Sequence, residues 1–144
     1  MKETVDTSWL GNMVFESDID GYKIRLDADD KYGGTHQGPR PKHLILSALG
    51  GCTAMDVVSI LSKKQLSIKD FNISVTGDLT DDYPRYYKTI HVIFTIKGDN
   101  FENNEEVFVK VNRAVQLSWE KYCTVSAILN KSSEMSYEII LLNS

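Results

Sequence analysis

Cysteine and histidine are scarce in this 144-residue sequence, which has two cysteines and three histidines. The cysteines, Cys52 and Cys123, lie far apart and form no CxxC pair, and the histidines form no HxxxH pair. The sequence therefore has neither a zinc-ligand spacing nor a thioredoxin-like motif. Two cysteines in a reducing compartment seldom form a structural disulfide. We expect no metal site and no cofactor, and we interpret both cysteines as thiols.

Positive charge and uninterrupted apolar sequence are also limited. The chain has 16 Lys and Arg residues against 20 Asp and Glu residues, a formal net charge of −4, and no run of basic residues. We therefore expect no nucleic-acid partner. His43, Ser47 and Asp56 interrupt the longest apolar stretch, and the N-terminal MKETVDTSW lacks the charged-then-apolar order of a secretory signal. We expect no membrane insertion and a cytoplasmic location.

The most informative segment is residues 41–66, PKHLILSALGGCTAMDVVSILSKKQL. Pro41 suits the first turn of a helix, where its missing N–H would have no partner. The apolar residues that follow have helical rather than alternating spacing, so the segment predicts a long buried helix. These residues are Leu44, Ile45, Leu49, Met55, Val58, Ile60 and Leu61.

Gly50 and Gly51 stand directly before Cys52 in this predicted helix. Each glycine in a helix interior costs about 1 kcal/mol relative to alanine. We infer that the position needs exposed backbone rather than side-chain volume, for the close approach of another helix or a ligand. The thiol of Cys52 then lies on a bare patch of helix.

The rest of the chain alternates predicted strands and helices. Five strands are predicted, at residues 9–16, 22–27, 68–79, 86–97 and 136–142. Apolar and polar residues alternate at 68–79 and at 86–97, where Ile90, Val92, Phe94 and Ile96 are in register. The first two are joined through a turn at residues 18–21. Residues 103–122 predict a second helix, which begins with asparagine and two glutamates, and a shorter apolar segment follows from Cys123.

The order ββ-α-ββ-α-(α)-β favours an α+β fold, with two antiparallel hairpins and a C-terminal strand around a long central helix. The length is sufficient for one domain spanning residues 1–144 with a substantial core. The central helix is apolar on more than one side and has more surface to bury than one hairpin can cover. A dimer would cover the remainder.

Three motifs carry a family resemblance. LSALGGCTAMDVVSIL after Pro41, YPRY at residues 83–86 and LSWEKYCTVSAILNK around Cys123 resemble the OsmC/Ohr family over nearly the whole chain. The combination of GGCxAxDVVSIL with EKYC is most similar to the YhfA-like subgroup. The resemblance implies an OsmC-like fold in an intertwined homodimer, with two active sites at the subunit interface.

The resemblance also implies a chemistry and a role in the oxidative stress response. Cys52 matches the peroxidatic cysteine and Cys123 the resolving cysteine of enzymes that reduce organic hydroperoxides with dithiols such as dihydrolipoamide. In such chemistry a thiolate attacks the O–O bond and becomes a sulfenic acid, which a second thiol traps as a disulfide. Cys52 lies in mid-helix, where no helix N-terminus stabilises a thiolate, so a cationic neighbour is required.

The sequence departs from the peroxidase branches at the start of the long helix. Those branches have Pro-Glu there, and the Glu orients an Arg beside the thiolate, whereas this chain has Pro41-Lys42. Lys42 stands ten residues before Cys52, roughly 15 Å along a continuous helix at the usual rise per residue. Contact between the two would need a bend or a partner subunit.

The activating cation therefore has several candidates. Asp56, one turn after Cys52 on the same helix face, is a possible partner for an arginine near the thiol, and an interface salt bridge is an equal alternative. The candidates for the cation are Arg25, Arg40, Lys42 and Arg85.

Two functions from different classes follow from this sequence. The first is a thiol-dependent peroxidase for organic hydroperoxides, with Cys52 attacking and Cys123 resolving. The alternative is a non-catalytic or redox-sensing OsmC-like dimer that binds a small apolar or thiol-containing molecule. The missing Glu is the feature that keeps the alternative open.

Overall fold

The computed structural model describes all 144 residues and has two three-stranded sheets and three α-helices. This content confirms the predicted α+β class. The chain divides into two compact units, Met1–Ile45 and Leu46–Ser144. The single domain predicted over residues 1–144 stays a prediction. The strands are β1 (Asp6–Gly11), β2 (Val14–Ile19), β3 (Tyr22–Leu26), β4 (Asp70–Leu79), β5 (Tyr87–Gly98) and β6 (Glu134–Asn143). The helices are α1 (Pro41–Lys63), α2 (Glu105–Leu117) and α3 (Thr124–Leu129).

The first unit contains an antiparallel meander, β1-β2-β3, where the sequence predicted a two-stranded hairpin. The single strand predicted at residues 9–16 is wrong, because Gly11 and Asn12 adopt positive φ angles of 111° and 49° and turn the chain between β1 and β2. The Trp9 indole N–H donates to the Asn12 carbonyl at 2.8 Å and closes this turn. The second turn, at Asp20 and Gly21, also has positive φ and lies where it was predicted.

Asp27 organises the loop between β3 and α1. Its side chain is 2% exposed and accepts hydrogen bonds from the backbone N–H groups of Ala28, Thr35 and Gln37 at 2.8, 2.9 and 3.2 Å. The Thr35 hydroxyl donates a further bond at 3.2 Å. These donors, led by the Thr35 N–H, hold the pKa of Asp27 below its ordinary value of 3.8. The ionised carboxylate thus fixes a polar, glycine-rich loop that lacks the regular backbone hydrogen bonds of a helix or a sheet.

The second unit contains the sheet β4-β5-β6. β4 and β5 form the predicted antiparallel hairpin, and β6 adds in parallel to the other edge of β5. A parallel neighbour requires a long crossover, which α2 and α3 supply. The predicted inward-facing residues of β5 are all fully buried, and the Phe94 ring lies 6.0 Å from the Tyr137 ring on β6. These residues are Ile90, Val92, Phe94 and Ile96.

Helix α1 buries one stripe and leaves much of its apolar surface exposed. The buried stripe repeats every four residues, at Leu49, Thr53, Val57 and Leu61. Met55, in contrast, is 74% exposed, so this helix has more apolar surface than the single chain covers. By length and composition α1 could cross a membrane, with a mean hydropathy of 1.9 over a window that is 28% buried. One such helix is weak evidence, since the core helices of soluble proteins pass the same test.

Gly50 in α1 faces a strand rather than another helix. A Cβ atom on Gly50 would lie 3.4 Å from Val75 and 3.6 Å from Ile73, both on β4. These are ordinary van der Waals distances, so the packing of α1 on the sheet leaves room for a small side chain at this position. A Cβ atom on Gly51 would have no neighbour within 4 Å, so the helix backbone beside Cys52 is bare, as predicted.

Replacement of Asp27 by asparagine tests whether the ionised carboxylate holds its loop. Asp27→Asn should lower the thermal unfolding midpoint at neutral pH, because an amide cannot accept all four hydrogen bonds as an anion. The pKa of Asp27 is lowered by folding, so its stabilisation is present above about pH 3.8 and is lost as pH falls through the folded-state pKa. The difference between wild type and variant should therefore shrink in acid.

Circular dichroism melts at neutral and acid pH make this measurement. Asp6→Asn, at an exposed position of β1, is the matched control and should melt like the wild type. Equal midpoints for Asp27→Asn and wild type at neutral pH would contradict the role given to Asp27.

Candidate functional site

The fold brings the two cysteines together beside a carboxylate. Cys52 and Asp56 are one turn apart on α1, and Cys123 stands between the end of α2 and the start of α3. The Cys52 sulfur, a carboxylate oxygen of Asp56 and the Cys123 sulfur all lie within 4.8 Å of one another. Both cysteines are free thiols in this structure.

A π-helical turn delivers Cys123 to this position. Residues Ser118–Tyr122 follow α2 directly, and the Cys123 N–H donates to the Ser118 carbonyl at 2.7 Å, five residues back. The predicted helix over residues 103–122 is therefore correct in extent, with Asn104 as its N-cap, although its last turn is wider than an α-helical turn. Single π turns of this kind are common at functional sites.

A chain of buried hydrogen bonds ties this turn to α1. The Trp119 indole N–H donates to Thr53 Oγ1 at 3.1 Å, and the hydroxyls of Thr53 and Ser118 are 2.9 Å apart. The Ser118 hydroxyl donates to Asp56 Oδ2 at 2.8 Å. Because an indole only donates and an ionised carboxylate only accepts, Thr53 must donate to Ser118. The chain therefore runs in one direction, from Trp119 to Asp56.

The two thiols differ in exposure and in proton affinity. Cys123 is 2% exposed, whereas Cys52 is partly exposed on the bare side of α1. Burial raises the pKa of the Cys123 thiol, and its hydrogen bond to Cys52 raises it further. The Ser126 N–H, which donates to Cys123 Sγ at 3.4 Å, acts in the opposite direction without reversing the shift. Cys123 thus remains a protonated partner next to Cys52.

The predicted arginine candidates have partners of their own. Arg25 pairs with Glu16 at 3.4 Å, Arg40 pairs with Asp29 at 2.7 Å, and the Arg85 guanidinium lies 4.7 Å from the centre of the Tyr83 ring. Lys42 is the second residue of α1. Asp56 accepts a hydrogen bond from the Ser118 hydroxyl, and an arginine partner for it, one of two interpretations, stays a prediction.

Thr53, Ser118 and Trp119 were not predicted as site residues. The Trp119 ring packs edge-on against Tyr137 at 5.1 Å, as aromatic residues of a core commonly do, while its indole N–H donates to Thr53. The available signal was position alone: Thr53 follows Cys52, and Ser118 precedes the EKYC motif. Spacing along the chain could not show that the two hydroxyls meet.

A cleft of about 550 Å³ lies next to the site. Trp119, Ser126 and Met135 are among its lining residues, and neither cysteine lines it. The partly exposed side of Cys52 therefore does not open into this cleft.

Comparison with known proteins shows similarity along most of the chain. Residues 34–138, which include both cysteines, match the family model of OsmC-like protein. Protein YhfA of Escherichia coli K12 is 32% identical over 135 residues, which are 92% of this chain and 94% of that protein.

Solved structures give the same result for the fold. A hypothetical protein from Aquifex aeolicus superposes with a TM-score of 0.79 at 27% identity, over 99% of this chain and 98% of that one. An organic hydroperoxide resistance protein OsmC from Legionella pneumophila superposes with a TM-score of 0.69 at 16% identity, over 97% of each chain. The second likeness shows the fold alone.

Selective alkylation tests the difference between the thiols. With limiting iodoacetamide at neutral pH, we expect Cys52 to be modified faster than Cys123, since Cys123 is 2% exposed and burial raises the pKa of its thiol. The pKa of Cys123 is raised above its ordinary 9.0, so the difference should narrow as pH rises. Peptide mass spectrometry gives both rates. Faster modification of Cys123 in the folded chain, with equal rates after denaturation as the control, would contradict the geometry.

Proposed function

This chain belongs to the OsmC-like protein family, and from that premise we propose that it is a thiol-dependent peroxidase that reduces organic hydroperoxides. The observation that carries the proposal is the approach of the Cys52 and Cys123 sulfurs to within 4.8 Å. A peroxidase that forms an internal disulfide needs a second thiol at this range, because the sulfenic acid is otherwise open to further oxidation.

The reaction assigns different steps to the two cysteines. The Cys52 thiolate attacks the outer peroxide oxygen, the O–O bond breaks, and the alcohol leaves after taking up a proton. Cys52 is then a sulfenic acid. Cys123 attacks its sulfur, the disulfide forms, and the hydroxyl leaves as water with the Cys123 proton. Two thiols have given two electrons and two protons to one hydroperoxide.

The raised pKa of Cys123 suits the resolving role. A protonated thiol does not compete with Cys52 for the peroxide, since the thiolate is the nucleophile. Its proton is also available for the departing water. A small dithiol such as dihydrolipoamide restores both thiols by exchange, and the reducing cytoplasm is where such a cycle would run.

We assign Asp56 an auxiliary role. Ser118 holds one of its oxygens at 2.8 Å, which leaves the other free to bind a cation beside Cys52. In this role Asp56 replaces the acid that the family's peroxidase branches carry at the position of Lys42. The cation that stabilises the thiolate then comes from Arg25, Arg40, Lys42 or Arg85, whether of the same chain or of a partner.

A homodimer would complete the site. The exposed apolar side of α1 includes Met55 at 74% and Val58 at 47% exposure, on the helix that carries Cys52. Apolar surface of this kind on a helix favours association. A second copy seated there would bury it and enclose an apolar peroxide, with two such sites per dimer.

The second candidate function is a non-catalytic or redox-sensing dimer that binds a small apolar or thiol-containing molecule. It is favoured by Lys42, which stands where the peroxidase branches have Glu. In this case the disulfide would form slowly and would not be recycled by dithiols.

Peroxide titration of the reduced protein tests the enzyme proposal. Without a reductant, one equivalent of cumene hydroperoxide should be consumed per chain, with a loss of about 2 Da as the disulfide forms. Cys52→Ser should abolish consumption, and Cys123→Ser should leave a dimedone-reactive sulfenic acid at residue 52. Intact-mass and peptide measurements report each product. Unchanged turnover in Cys52→Ser would end the proposal, and a disulfide that dithiols fail to reduce would favour the sensor.

The same assay tests the auxiliary role of Asp56. Asp56→Asn should slow the first step by about tenfold, which corresponds to 1.36 kcal/mol of lost thiolate stabilisation. Asp81→Asn changes the same group in an exposed loop and is the matched control. Equal slowing in both variants would show a general charge effect.

Sedimentation equilibrium tests the dimer. The chain has a mass of 16.3 kDa, and we expect twice this value at micromolar concentration. Met55→Glu should shift the equilibrium towards the monomer, because it places a charge in the apolar contact. A stable wild-type monomer over this range would contradict the proposed interface site.

A further inference from the structure

The cysteine pair and Asp56 also form a set of metal ligands. Zinc binds cysteine sulfur at about 2.3 Å and carboxylate oxygen at about 2.0–2.2 Å, so ligand atoms in a tetrahedral site stand roughly 3.5–4 Å apart. The three ligand atoms here lie within 4.8 Å of one another. Side-chain rotation of roughly 1 Å would therefore bring all three into a zinc coordination sphere.

Hydrogen bonds around the three groups have the arrangement expected for metal ligands. The Ser126 N–H donates to Cys123 Sγ at 3.4 Å, and the Ser118 hydroxyl donates to Asp56 Oδ2 at 2.8 Å. The second carboxylate oxygen is left for a metal. Such bonds orient ligands and keep them in place before the metal arrives. Ser118 is itself fully buried and is held by Thr53 at 2.9 Å.

The chemistry of the donor atoms selects the metal. Two cysteine sulfurs and one carboxylate oxygen make a soft set of ligands, which favours zinc over calcium or magnesium.

From these observations we propose that the reduced protein binds one Zn²⁺ per chain through Cys52, Cys123 and Asp56. Cys52 is partly exposed, so the fourth position is open to water or a small molecule, as in three-ligand zinc sites. Spacing along the chain gave no reason to expect a metal site, because Cys52 and Cys123 are far apart in sequence and come together only in the fold.

The link to catalysis rests on the proposed function. Zinc bound to both sulfurs would occupy the nucleophile, so the metal-bound form does not reduce peroxide. In the metal-free chain, oxidation of the two thiols by one hydroperoxide gives the disulfide, the alcohol and water. A disulfide is not a ligand for zinc, so the oxidised chain does not bind the ion.

Titration of the reduced chain with Cd²⁺ under nitrogen, in the absence of peroxide, tests the site. We expect one equivalent to bind, with a thiolate-to-cadmium charge-transfer band in the ultraviolet and release of the thiol protons. Competition with Zn²⁺ should remove the band. Cys52→Ser and Cys123→Ser each remove one of the two sulfur ligands, so each should lower the intensity of the band. Ser118→Ala should weaken the affinity for cadmium about 10- to 100-fold, which is the usual effect of losing a hydrogen bond to a metal ligand. Asp81→Asn should bind like the wild type.

Alkylation of Cys52 in the wild-type chain with N-ethylmaleimide tests the site without a substitution, and it should abolish cadmium binding. Retained stoichiometric binding after alkylation, or wild-type affinity in both cysteine variants, would overturn the proposal. Because no peroxide is present, a protein that binds cadmium but reduces no hydroperoxide disproves only the enzyme, and the reverse result disproves only the metal site.

Discussion

The site depends on one buried contact, the hydrogen bond between the hydroxyls of Thr53 and Ser118. Both side chains are fully buried, and leaving either without its partner would cost about 1–3 kcal/mol. Their bond fixes the rotation of α1 against the π turn, and this rotation places Cys52 near Cys123. The Trp119 N–H at one end and the Asp56 carboxylate at the other give the chain its direction. The proposed catalytic thiol, Cys52, and the structural hydroxyl, Thr53, are therefore adjacent residues on the same helix.

Much of the second unit was predictable because the apolar residues of its strands and helices recur at the regular spacing of each element. β5 alternates apart from Ile93, so Ile90, Val92, Phe94 and Ile96 could be placed in register, and helical spacing gave both long helices to within a few residues. The first sheet was harder, since WLGNMVFE resembles one strand unless Gly11-Asn12 is recognised as a turn. The cysteines were paired by resemblance to a family. The hydroxyl chain could not be predicted, because Thr53 and Ser118 are 65 positions apart and meet only through tertiary packing.

Helix α1 combines two kinds of surface that a simple apolar pattern cannot separate. One stripe, including Leu49 and Leu61, packs inside its own unit, and Gly50 faces β4. The side that carries Met55 remains exposed. Apolar spacing identifies the faces of a helix that avoid water, but it does not show whether such a face is covered by the same chain or by another chain. The same ambiguity explains why α1 also satisfies a length and hydropathy criterion for membrane helices.

The parallel pairing of β6 with β5 has a consequence for how the protein is made. β6 follows both cysteines in the chain, and its Tyr137 supports Trp119, whose N–H holds Thr53. A parallel pair forms only after its whole crossover has been synthesised. The support that β6 gives to the turn before Cys123 is therefore added after both cysteines have been made.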